Sequence, residues 1–113
     1  MPGWYQLYTI EPFPLLGTKT ISGGVITLDG LSGIYLVDTE GLSAQDDLNT
    51  INNAGGVTYL FPASDARTVS LRHLVGNLHN ENSLDIHLNQ ENDYAIIVNN
   101  GSELTVTYVN APA

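Results

Sequence analysis

Residues 94–109 read Tyr94-Ala95-Ile96-Ile97-Val98-Asn99-Asn100-Gly101-Ser102-Glu103-Leu104-Thr105-Val106-Thr107-Tyr108-Val109. The first five are almost wholly apolar, the pattern of a central strand covered on both faces. Asn100-Gly101 is the strongest short hairpin signal, because both residues accept the positive φ of a tight turn. Leu104, Val106 and Tyr108 then alternate with Thr105 and Thr107, a period of two that marks a half-buried strand. These residues predict a β-hairpin, 94–98 against 104–109.

Working outward, the same rhythm recurs. Leu84, Ile86 and Leu88 alternate with Asp85 and His87. Arg67 to Leu71 alternates as well, and Val57 to Leu60 is a short apolar run ahead of Pro62. Toward the N-terminus, runs at Thr18–Ile21, Val25–Leu28 and Gly33–Val37 are separated by Ser22-Gly23-Gly24 and by Asp29-Gly30, and the last is followed by Asp38-Thr39-Glu40-Gly41. Strands spaced by roughly ten residues predict one all-β domain over 17–113, a β-sandwich or jelly-roll-like stack of short antiparallel strands. One short helix is predicted at 43–51. Ser43 is placed to cap it, Asp46 stands three residues on, and Leu48 and Ile51 would share a face. Asn52-Asn53-Ala54-Gly55-Gly56 would end it.

Met1 to Leu16 differs from the rest. Pro2, Pro12 and Pro14 oppose regular structure, and four of the nine aromatics fall in the first thirteen positions. The stretch reads as an extended apolar arm. Trp4, Tyr5, Leu7, Tyr8, Ile10, Phe13 and Leu15 are its candidate partner-binding residues, since buried aromatics dominate interface energetics. The arm either covers one end of its own domain or packs on a neighbouring subunit or larger scaffold.

Composition narrows the function classes. Twelve Asp and Glu face three Lys and Arg, for a formal net charge of -9 across 113 residues. Nucleic acid is disfavoured, because Lys19, Arg67 and Arg72 are too few to neutralise a phosphate backbone. An anionic membrane surface is disfavoured for the same reason, and no apolar run is long enough to span a bilayer. The chain has no cysteine, which removes disulfides, thiolate metal sites and a cysteine nucleophile. With 42% hydrophobic residues in regular recurrence, it has the means to build a core.

Candidate chemistry is thin. His73, His79 and His87 are the possible zinc ligands, but alternation turns His87 to a polar face. Asp46, Asp47 and Asn49 offer oxygens at close spacing without the order of a calcium loop. Ser64 or Ser70 with His73 and Asp85 makes a hydrolase triad on paper, with no nucleophile elbow to hold it. Gly23-Gly24 and Gly55-Gly56 lack a dinucleotide fingerprint. No cofactor, no metal and no enzymatic activity are expected.

One further pattern is carried by the order of several short motifs. Ile21-Ser22-Gly23-Gly24-Val25, Val37-Asp38-Thr39-Glu40-Gly41 and Asp46-Asp47-Leu48-Asn49-Thr50-Ile51 come first. Arg67-Thr68-Val69 through His73, Gly76-Asn77-Leu78 and the Asn100-Gly101 turn follow. This succession, over about three-quarters of the chain, resembles small all-β structural proteins of tailed-phage virions. The chain departs from that pattern at Asn52-Asn53-Ala54 and in lacking a terminal Trp. The resemblance implies a non-enzymatic, commonly trimeric module made in the host cytoplasm and carried on the outer surface of the capsid. The function it leads to is a decoration or cement protein, bound to the major capsid protein and to its own copies. The alternative is a receptor- or carbohydrate-binding module of a tail or head fibre, using Tyr35, Tyr59 or Tyr94 as stacking platforms.

Overall fold

The computed structural model describes residues 13–90 and 93–110, and among them the regular structure is eleven short strands and two 3-10 turns, Glu40–Leu42 and Glu81–Ser83. The strands are β1 (Leu15–Thr20), β2 (Val25–Thr27), β3 (Gly33–Asp38), β4 (Gln45–Leu48), β5 (Thr50–Asn52), β6 (Val57–Pro62), β7 (Thr68–Leu71), β8 (Leu78–Asn80), β9 (Ile86–Leu88), β10 (Asp93–Asn99) and β11 (Leu104–Asn110). The all-β expectation holds, and the hairpin of β10 and β11 pairs in antiparallel register from Asp93–Asn110 to Asn99–Leu104. Its turn is fixed by Asn100, whose Oδ1 accepts the backbone N–H groups of Ser102 and Glu103 at 3.1 and 3.0 Å. Gly101 supplies the positive φ of 97°.

The stacking of the strands departs from the expected antiparallel sandwich or jelly roll. β1, β3 and β6 lie side by side in parallel, as do β2 and β5, and β4 and β7. Ile34 stands opposite Tyr59 and Val25 opposite Thr50, so these circuits take about 25 residues, while Leu15 already meets Ile34, a shorter step through the first coil. The chain therefore winds in solenoid-like coils. The first coil contributes β1 and β2, the second β3, β4 and β5, and the third β6, β7 and the turn at 73–77. Each coil sends one side chain per position into a shared interior. Tyr35 meets Leu60 in register, Ile26 meets Ile51 and Leu48 meets Leu71, and all six are buried in one core cluster.

The predicted helix at 43–51 is replaced by β4 and β5. Leu48 and Ile51 do both face the core, but for another reason. The chain turns a corner at Asn49, so the last inward residue of one strand and the first of the next are three positions apart. That spacing imitates one face of a helix. Asp46 caps no helix. Its Oδ2 accepts the Glu40 N–H at 2.8 Å and its Oδ1 accepts the Asp47 N–H at 2.8 Å, pinning the preceding turn. Gly55 ends no helix either. It is buried against the Leu31 backbone, where a Cβ would lie 2.6 Å from the Ser32 nitrogen.

The C-terminal end of the coil is closed by antiparallel strands. β10 covers the outer edge of β6 and β9 covers that of β7, while β8 pairs with β11 in parallel. The third side is closed by one asparagine. Asn77 accepts the Ile51 N–H at 3.0 Å and donates to the Ile51 carbonyl at 2.8 Å, so its amide mimics a strand neighbour for β5. Replacing it by alanine strands both groups of Ile51, which is buried. We expect Asn77→Ala to lower stability by about 1–3 kcal/mol. Urea unfolding should show a reduced midpoint with an unchanged slope.

Candidate functional site

The large sheet, in the order β1-β3-β6-β10-β11-β8, has one face on the coil interior. Residues paired across neighbouring strands point to the same side, so the register also defines the opposite face. Leu15, Ile34, Tyr59, Ile96 and Thr107 form one row across it. Thr18, Leu36 and Phe61 begin a second row, with Tyr94 and Val109 continuing it. Val98 belongs to a third. The outward face of the largest sheet is thus apolar at its centre, on β3, β6 and β10, and polar toward its edges, where Thr18, Thr20, Thr105, Thr107 and His79 stand. An ordinary two-faced sheet alternates apolar with polar.

Aromatic contacts organise this outer layer. Phe61 and Tyr94 stack with ring centroids 4.6 Å apart, Tyr94 and Tyr59 are 6.0 Å apart, and Tyr59 and Phe13 are 5.2 Å apart. Such pairs contribute about 0.5–1.5 kcal/mol beyond their buried area. Ile34 and Phe61, 1% and 0% exposed, form the centre of a cluster separate from the main core.

Of the arm residues, Phe13 joins this cluster half-buried, and Leu15, at the sheet edge, is 40% exposed. The Pro14 carbonyl accepts the Ile34 N–H at 2.8 Å, and β1 begins within the stretch read as arm. Trp4, Tyr5, Leu7, Tyr8 and Ile10 lie outside the described residues.

The tyrosines expected to stack on sugars are not free to do so. Tyr35 is fully buried, its hydroxyl donating to Asp29 Oδ2 at 3.1 Å, with its pKa raised chiefly by burial. Tyr59 and Tyr94 are committed to the aromatic layer.

Each of the three histidines has its own neighbour. His73 Nδ1 accepts the Asn80 N–H at 3.0 Å, His79 Nδ1 is 3.1 Å from Glu103, and His87 Nδ1 is 2.7 Å from Ser70 Oγ. They do not converge, and no group of three His, Cys, Asp or Glu placed to hold a metal occurs among the described residues. The paper triad is not assembled. Ser64 Oγ accepts the Ala66 N–H within its own turn, and Ser70 meets His87 rather than His73. Asp85 accepts the backbone N–H of His73, not its ring. Asp47 spends its oxygens on Gln45 and Arg72.

All three cations are engaged. Lys19 reaches Asp29 at 3.3 Å, and Arg72 bridges Asp47 at 2.8 Å and Asp85 at 2.9 Å. Arg67 grips Asp38 with two bonds, Nε to Oδ1 at 2.7 Å and Nη2 to Oδ2 at 3.1 Å. This bidentate pair ties the loop after β6 to the end of β3. The surface is left with an excess of carboxylate and no unpaired Lys or Arg. No family model, curated protein or solved structure matches the chain.

Two outcomes follow from this geometry. Phe61→Ala should cost about 3–5 kcal/mol in chemical unfolding, because it empties the centre of the outer cluster. The Arg67 guanidinium holds the Asp38 carboxyl below its ordinary pKa of 3.8. A carboxylate depressed in the folded state contributes stability above that value and loses it as pH falls through the folded pKa. Arg67→Met should therefore be less stable than the natural protein at pH 7. In thermal unfolding the gap should close progressively below about pH 4.

Proposed function

We propose that the protein is an adhesive structural module of a tailed-phage particle, a decoration protein that cements the outside of the head. Its partners in this reading are the major capsid protein and further copies of itself, most simply three about a threefold axis. The supporting observation is the apolar centre of the outer face of the large sheet, whose aromatic layer runs into Phe13 at the root of the N-terminal stretch. A protein that acts by covering apolar surface needs such a layer, and catalysis does not. An interface of standard size, about 1,600 Å² in total, suffices for stable attachment. The acidic surface keeps the free protein soluble and complements basic patches on a shell. The order of sequence motifs that resembles small virion proteins led to this reading. The solenoid-like coils favour one second reading, a module at the end of a tail or head fibre that binds a receptor or carbohydrate.

Sedimentation with undecorated heads tests the proposal. The full chain should pellet with the shells, and a chain lacking residues 1–12, which leaves β1 intact, should stay in the supernatant while keeping its circular dichroism. Pelleting by the truncated chain would refute an anchoring role for the arm. If the full chain ignores heads yet binds host cells, the fibre reading replaces this one.

A further inference from the structure

A groove of about 400 Å³ opens beside the 3-10 turn Glu81–Ser83, between β9 and the end of β11. Tyr108 and the exposed Leu84 give it apolar walls. Glu81, Asn82, His87 and Asn89 stand around them. These polar groups are only partly used. Glu81 Oε1 accepts the Tyr108 N–H, which leaves Oε2, and His87 meets Ser70 through Nδ1, which leaves Nε2. The side-chain amides of Asn82 and Asn89 have no partner among the described residues. Behind this wall lies Asp93, 1% exposed, whose Oδ2 accepts the Asn89 N–H at 3.3 Å and whose carboxylate is engaged by the Tyr108 hydroxyl. The turn itself is held with left-handed backbone at both Asn82 and Ser83 (φ of 58° and 57°), a conformation that persists only where the surroundings fix it.

A second groove, of about 340 Å³, makes the contrast. Three of its four asparagines are spent on the fold: Asn77 on Ile51, Asn99 on the Ala54 carbonyl at 3.0 Å and Asn53 on the Leu28 carbonyl at 3.1 Å, while Asn52 is exposed. In the first groove Asn82 and Asn89 line the wall together with Tyr108, and their side-chain amides have no partner among the described residues. A pocket of mixed apolar wall and few convergent polar groups is the usual form of a small-ligand site.

We propose that the groove beside Tyr108 binds a neutral saccharide of one or two rings. The ring of Tyr108 and the side chain of Leu84 match the C–H face of a pyranose. Two amides, an imidazole nitrogen and a carboxylate oxygen match hydroxyl groups, which both donate and accept. Glu81 and Asp85 repel anions, and Arg72, which reaches Asp85 on the groove wall, is already bound to Asp85 and Asp47. Phosphates, sialic acids and uronic acids are thereby excluded. The site uses neither the N-terminal stretch nor the outer sheet face, so it stands independently of the attachment role.

Amide and side-chain NMR of the full chain tests it. The probes are methyl glucoside, methyl galactoside, methyl mannoside, N-acetylglucosamine, maltose and lactose, each up to about 50 mM, since open grooves of this size bind small sugars weakly. At least one should shift resonances of Leu84, His87, Asn89 and Tyr108 and few others. Leu84→Asp and Asn89→Ala, both at exposed positions, should weaken that binding by about tenfold while the remaining spectrum stays unchanged. Absence of shifts with every sugar, or shifts confined elsewhere, overturns the proposal. So does a response to N-acetyl-lysine amide with none to sugars, which would assign the groove to a cation.

Discussion

The structure depends on a sheet that must be covered twice. Its inner face is satisfied by winding the chain into coils, so that Tyr35 sits on Leu60 and Ile26 on Ile51. Its outer face carries Ile34, Leu36, Tyr59, Phe61 and Tyr94, and a second apolar layer assembles there, separate from the first. Burying one large apolar side chain gains about 1.5–3 kcal/mol. Each layer is therefore a substantial fraction of the stability of a domain this size. The cost is a fold that cannot leave that face to water, and this links the packing of the sheet to the adhesive role proposed for the molecule.

Part of this was legible in the sequence. The hairpin was, because its signals are local: an apolar run, Asn-Gly and strict alternation. The strands at 33–38 and 57–62 were visible as apolar segments. The near-continuous apolar run at 94–98 also announced a strand inside the sheet, which β10 is, although Val98 on its outer side is 40% exposed. The winding was not visible, because parallel register is a relation between residues about 25 apart and no single turn encodes it. A comparison at that spacing, Tyr35 with Leu60 and Leu36 with Phe61, is the signal that would have exposed it. The false helix has the same origin, since a corner between two strands spaces inward residues as a helix does.

The candidate surface was legible only at its root. Aromatic density near the N-terminus pointed to burial, and Phe13 is indeed in the outer cluster. The groove beside Tyr108 was hidden, because its residues come from a turn, a strand edge and the last strand. Only the cap brings them together. The ion pairs were equally non-local: Arg67 and Asp38 are 29 positions apart, and a composition count cannot tell that every cation already has a carboxylate.

The closed end of the coil gives the molecule a polarity. On β6 and β7 the rims that a fourth turn of chain would need are occupied by β10 and β9, and Asn77 occupies the corresponding place on β5. Winding cannot be extended past that point, whether by the same polypeptide or by another stacked in line. Among the described residues the finished side of the coil lies at β10, β9 and Asn77, opposite β1 and β2, so the chain itself seals one end of its own winding.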